Sequence, residues 1–179
     1  MEAAAKLFRE HGFDGVGIDA VMAEAGLTHG GFYKSFGSKD ELIAEACRRA
    51  ADRSNETWRA EEEKAADPLE GLVTQYLSMG HCRDPGSACL FVTLAGDAAR
   101  RDSAVRDAFA EGLHGFSGHI EALLPHLCAE RRHETALAIA ATMIGAVTIA
   151  RATNDDAFAA SVLQAARASI LQLAADQQT

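Results

Sequence analysis

Proline occupies only three of the 179 positions and aromatic residues only 6%. With so few helix breakers the chain can carry long helices, and no stretch shows the two-residue alternation of a half-buried strand. The four cysteines, Cys47, Cys82, Cys89 and Cys128, make no CxxC pair and no Cys/His spacing of zinc-finger type. A disulfide framework and a structural metal are therefore not expected, and a Cys82–Cys89 redox pair lacks the charged surroundings that would activate a thiol. There is no P-loop, nucleophile elbow, HExxH or carboxylate pair on one helix face, so the sequence argues against an enzyme and implies no cofactor. Its start, MEAAAKLFRE, is too charged for a signal peptide. The longest apolar run, Thr135 to Ala150, is about sixteen residues against the roughly 20 a membrane span needs, so a buried helix is expected and no membrane partner. An excess of positive charge is also missing. Lys and Arg number 17 against 26 Asp and Glu, a net charge of −9, which excludes a general nucleic-acid coat or a polybasic membrane binder. A reduced, cytoplasmic chain is expected.

What is present is helical pattern. Ile18 to Ala25 places Ile18, Val21, Met22 and Ala25 on one face, and Gly26 stops it, because glycine takes the left-handed conformation at least cost. Thr28 stands where an N-cap belongs, and a second short helix, His29 to Phe36, points Phe32 and Phe36 back at the first. Two short helices around a glycine turn form a helix-turn-helix, whose second helix enters the DNA major groove. In that arrangement Thr28, His29, Gly30 and Lys34 lie on the groove side and Tyr33 reaches a phosphate. Gly30 and Gly31 cost about 1 kcal/mol each against alanine; they serve either close backbone approach to DNA or packing against the first helix. Ser38 caps the next helix. Lys39 at its start opposes the macrodipole, and a phosphate there would resolve the conflict.

Read together, AGLTHGGFYKSFGSKDEL resembles the amino-terminal signature of TetR-family transcriptional regulators, over roughly Ala4 to Leu42. The resemblance implies an all-α protein in two parts. Residues 1–45 would form a three-helix DNA-binding domain, and residues 46–179 a larger helical ligand-binding and dimerisation domain. It also implies a phosphate contact for Lys39, and a repressor that a small molecule releases from palindromic operator DNA. Gly17 and Met22 depart from the family, which usually has Thr or Ser and a small residue there. The chain begins almost inside its first helix, where relatives usually carry a basic arm; such an arm is expected to tighten binding. Up to Arg49 the count is six Lys and Arg against eight Asp and Glu, so DNA binding must rest on a few placed groups.

Glu2 to His11, ended by Gly12, supplies the third wall of the head with Ala4, Leu7 and Phe8 inward. Lys39 to about Lys64 forms a long helix, roughly 39 Å at 1.5 Å per residue, broken at Asp67-Pro68. Leu69 to Leu77 stripes a helix ending near Gly80, Arg83 to Ser87 forms a turn, and Ala88 to Arg100 resumes. Ser103 caps a helix striped by Val105, Phe109, Leu113, Phe116, Ile120 and Leu124. Trp58, Tyr76, Phe91, Phe109, Leu113, Phe116 and Met143 are core residues that together could line a site for a hydrophobic or aromatic effector. Gly112, Gly115 and Gly118 mark room for a ligand or for a crossing helix. Glu134 to Arg151 is apolar nearly all round, and Asp155 to Ala175 follows it. Their surplus apolar surface predicts a four-helix homodimer interface including Ile144, Val147, Val162, Ala166 and Ile170. A helical protein-binding adaptor without DNA contact is the alternative.

Overall fold

The computed structural model describes residues 1–62, 65–84 and 89–175, and among them it contains ten α-helices and no strand. The expected helix end at Lys64, the turn residues Pro85, Gly86 and Ser87, and the helix start at Ala88 lie outside the described residues. The chain divides into two compact units. One comprises Met1–Ser54 with Pro85–Leu113, the other Asn55–Asp84 with His114–Thr179.

In the first unit α1 (Glu2–His11) buries Ala4, Ala5 and Phe8 and ends at Gly12, whose φ of 74° suits a residue without Cβ. Helices α2 (Ile18–Glu24) and α3 (His29–Ser35) follow, then α4 (Lys39–Glu62) begins. Its Leu42, Ile43, Ala46, Cys47 and Ala50 are buried, and burial pushes the Cys47 thiol up to about 12, so this cysteine is inert. Helix α7 (Leu90–Ala98) buries Leu90, Phe91, Leu94 and Ala98. Helix α8 (Ser103–Ala122) is capped one residue earlier than expected: Asp102 Oδ1 accepts the Val105 N–H at 3.2 Å. At Gly112 a Cβ would lie 3.0 Å from Ala51 Cβ and from Phe91 Cζ, so this glycine admits the crossing of α4.

In the second unit Asp67 caps α5 (Pro68–Tyr76) by accepting the Glu70 N–H at 3.1 Å. The helix ends at Tyr76 rather than near Gly80. Ser78 caps a separate helix, α6 (Met79–Arg83), through the His81 N–H at 3.1 Å. Helix α9 (Ala129–Arg151) begins upstream of the predicted Glu134, and α10 (Asp156–Ala175) packs against it. Arg151 closes this unit by donating to the carbonyls of Cys82 at 2.7 Å and of His81 and Asp84 at 3.1 Å, at the carboxyl end of α6. With their polar flanks included, α9 and α10 are long and apolar enough to cross a membrane by length and composition, beyond the sixteen-residue run. Eight residues of α9 are nonetheless buried in the chain itself.

The surplus apolar surface expected of α9 and α10 is present, but two of the five residues named for it do not contribute. Val147 and Ile170 are 0% and 1% exposed, consumed by the core of a single chain. Ile144, Val162 and Ala166 are half-buried. Among the described residues of these two helices, the exposed large apolar side chains are Leu137 at 45%, Ile149 at 53% and Phe158 at 52%.

Candidate nucleic-acid interface

The turn between α2 and α3 forms as its residues dictate. Ala25 caps α2, Gly26 takes φ 66°, its N–H bonds Ala23 O at 3.1 Å, and Leu27 N–H bonds Met22 O at 2.8 Å. This is a Schellman pairing around a left-handed glycine. Ala25, expected inward, is exposed, because the chain already turns away there. Thr28 occupies the N-cap position of α3 in extended backbone, but its hydroxyl makes no capping bond.

Helix α3 is held by one residue. Phe32 is fully buried, stacking on half-buried Phe36 at 5.8 Å and meeting Tyr33 edge-on at 4.9 Å. Away from Phe32 the helix carries exposed Gly30, Tyr33 and Lys34, while His29, at its first position, is exposed beside α2 and Thr28 is exposed just before it. The His29 and Tyr33 rings lie 5.2 Å apart. A Cβ on Gly30 would meet nothing within 4 Å, and one on Gly31 only Thr28 Oγ1 at 3.7 Å. Neither glycine packs closely on α2, which favours bare backbone kept for a partner. The Nδ1 of His29 bonds the carboxylate of Asp19 on α2.

The amino end of α4 is held by two capping bonds. Ser38 Oγ accepts the Glu41 N–H at 3.1 Å, and Glu41 Oε2 accepts the Gly37 N–H at 2.6 Å. Lys39, beside it, is half-buried. Two residues far along the chain hold this region from behind. Asp97 accepts the Phe13 N–H at 3.0 Å. Arg101 joins Asp14 and, at 3.2 Å, Asp40, with its guanidinium 5.8 Å from the Phe13 ring centre. A Cβ on Gly12 would lie 2.7 Å from Asp97 Oδ2, so the tight approach and the positive φ both require glycine. Sequence reading missed Asp19, Glu41, Asp97 and Arg101. Only Glu41 had a local signal, the Ser-x-x-Glu spacing after Gly37.

The seven residues expected to line an effector site divide between the units. Phe91 and Phe109 meet edge-on at 5.2 Å in the first, which also holds half-buried Leu113. Trp58, Tyr76 and Phe116 belong to the second, as does fully buried Met143. Tyr76 lies 5.3 Å from Trp58 and 5.8 Å from Phe116. His81 joins this cluster, 4.8 Å from the Tyr76 ring and 5.3 Å from Trp58. Burial first, then the neighbouring Arg151 charge, push His81 down to about 4, so it is neutral at pH 7. Trp58 Nε1 and His81 Nε2 are buried without a hydrogen-bond partner among the described residues. Two clefts, of about 440 and 380 Å³, are lined by other residues, Met1, Phe36 and Arg48 in one and Glu70, Gln75 and Arg167 in the other. No group of three or more His, Cys, Asp or Glu among the described residues could hold a metal.

Residues 1–46 match the family model for bacterial regulatory proteins of the tetR family. The HTH-type transcriptional regulator LmrA of Bacillus subtilis is 24% identical over 149 residues, covering 80% of this chain and 79% of LmrA. Among solved structures, reduced E. coli NemR superposes with a TM-score of 0.77 at 19% identity, covering 94% of this chain and 93% of its own. A TetR-family regulator from Cytophaga hutchinsonii gives 0.78 at 19% identity, over 95% and 90%.

Proposed function

The chain belongs to the TetR family, as a transcriptional regulator with a helix-turn-helix DNA-binding domain, and from that premise we propose that it is a cytoplasmic, effector-released repressor that binds a near-palindromic operator as a homodimer. The observation that carries the operator reading is the polar, exposed face of α3 opposite the single buried anchor Phe32. In this reading Thr28, His29 and Lys34 face the groove, Gly30 lets the backbone approach, and Tyr33 meets a phosphate. Lys39 neutralises a phosphate at the start of α4. Leu137, Ile149 and Phe158 supply the contact between copies, flanked by half-buried Ile144, Val162 and Ala166.

The effector reading rests on the second unit, in which Trp58, Tyr76, His81 and Phe116 cluster. A buried N–H on Trp58 and a buried ring nitrogen on neutral His81 want partners, so the effector is a neutral aromatic molecule bearing a hydrogen-bonding group. Helix α4 carries both Lys39 and Trp58, which makes it the element whose two positions effector and operator would bias in opposite directions.

Selection of duplexes from a random pool, followed by titration at several salt concentrations, tests the operator reading. Wild type should select an inverted repeat, and Lys39→Ala should weaken binding equally on all sequences with a salt slope shallower by about 0.9. No enrichment of any repeat would sink it. Thermal-shift hits that bind yet leave operator affinity unchanged would sink the effector reading.

A further inference from the structure

Asp19 is a misplaced charge for a DNA-binding surface. It sits on α2, its side chain is 82% exposed, and an acid there repels phosphates. The structure gives it one described partner, His29 at the first position of α3, itself 55% exposed. An ionised carboxylate only accepts, so His29 Nδ1 must carry the proton in this bond. In the neutral imidazole the other ring nitrogen, Nε2, is then the acceptor.

We propose that Asp19 is a positioning residue for base recognition, orienting the His29 imidazole so that Nε2 accepts a hydrogen bond from an exocyclic amino group, adenine N6 or cytosine N4, in the major groove. This rests on the reading of His29 as a groove residue. The Tyr33 ring, 5.2 Å from the imidazole, limits the ring's swing on one side while Asp19 holds it on the other. A ring fixed on two sides forms its base contact with little further loss of freedom. The repulsion of Asp19 from the backbone is the same for every sequence, whereas the oriented nitrogen favours one base pair. The pair thus exchanges general affinity for discrimination.

The experiment uses the full chain and its selected duplex. Each base in a half-site is replaced in turn by an analogue lacking one group: purine for adenine, pyrimidin-2-one for cytosine, or a 7-deazapurine. One amino-group deletion should weaken wild type about 3–10-fold, and the same deletion should have no effect on His29→Ala. Asp19→Ala should lose this discrimination and bind random duplex about 2–3-fold tighter, with the melting temperature lowered only slightly by the loss of an acid from the first turn of α2. Asp19→Asn should keep the discrimination, because its amide oxygen still accepts from Nδ1, while sharing the gain on random duplex. If His29→Ala discriminates as wild type does, the groove reading of His29 itself fails. If His29→Ala loses discrimination and Asp19→Ala keeps it, only the positioning role fails. Sensitivity to the 7-deaza analogue instead of the amine deletion overturns the acceptor assignment. Weaker binding to all duplexes by both Asp19 variants, with discrimination intact, marks a structural role and overturns the proposal.

Discussion

The α2–α3 hairpin buries Val21, Met22 and Phe32 and turns His29, Gly30, Tyr33 and Lys34 to solvent. The α9–α10 hairpin buries Ile139, Met143, Val147, Leu163 and Ile170 and turns Leu137, Ile149 and Phe158 outward. Both pairs spend one face on their own unit. They differ in what is left over, and the leftover face sets the partner. Polar atoms and bare backbone suit a hydrated, charged polymer, whereas exposed aliphatic and aromatic carbon suits a surface that also needs to be removed from water. The lengths differ for the same reason. Seven residues are too few to be helical alone, so α3 depends on Phe32, while the 23 residues of α9 spread their burial along the helix.

The sharpest way to break this comparison is to place the same charge on the two sides of α9–α10. Val147→Glu puts an acid at a position 0% exposed and should abolish cooperative unfolding altogether. Phe158→Glu, at an exposed position, should leave a folded chain whose mass in sedimentation falls to 19.0 kDa, with self-association weakened roughly 30-fold or more. A folded Val147→Glu monomer would mean that core and interface were assigned the wrong way round.

Phe32→Ala tests the other hairpin and comes next in size. Removing the anchor should cost about 3–5 kcal/mol in urea denaturation and eliminate operator binding. Tyr33→Ala, one residue on, should leave stability nearly unchanged and weaken DNA alone. Equal effects of the two would contradict the division of α3 into an anchored and a reading face.

The histidines sharpen the contrast further. His81 is held neutral by burial, with its value lowered from 6.5 to about 4. Above about pH 6.5 neither folded nor unfolded chain protonates it, and its contribution is fully present. As pH falls from about 6.5 towards about 4 the unfolded state takes a proton that the folded state refuses, so stability is lost through that window. The loss should total on the order of 3 kcal/mol. His81→Gln should flatten this part of the pH–stability curve, and an identical acid limb in both proteins would refute the assignment.

The smallest effect is expected at Gly17, the N-cap of α2. Its backbone is extended, with φ −84° and ψ 159°, and a Cβ would meet nothing within 4 Å. Gly17→Ser should add the missing capping oxygen and stabilise the head by a few tenths of a kcal/mol, read as a small rise in melting temperature.

Local chemistry was legible where neighbours in sequence act on one another. Gly26 ends α2, Ser38 caps α4 and Asp67-Pro68 opens α5, each within a few residues of its partner. Misreadings came where two local choices were nearly equal. Asp102 and Ser103 are both good caps, and the carboxylate took the position. The stripe from Leu69 to Leu77 looked continuous to Gly80, yet Ser78 offered a second cap and split it. Apolar periodicity could not rank Val147 against Ile149, because both lie in a helix apolar on every side.

The sequence by itself determined an all-helical chain, the glycine turn, the register of α3 and the family its amino-terminal segment belongs to. These depend on interactions spanning a few residues, which one strand of text contains. Only the tertiary structure decided that Asp97 and Arg101 grip Phe13 and Asp14 across 84 and 87 residues. It alone put His81 among the aromatic rings and left Phe158 rather than Ile170 outside. Such pairings depend on which apolar face each helix loses to its neighbours. That is decided by the packing of all the faces at once, and no single segment holds it.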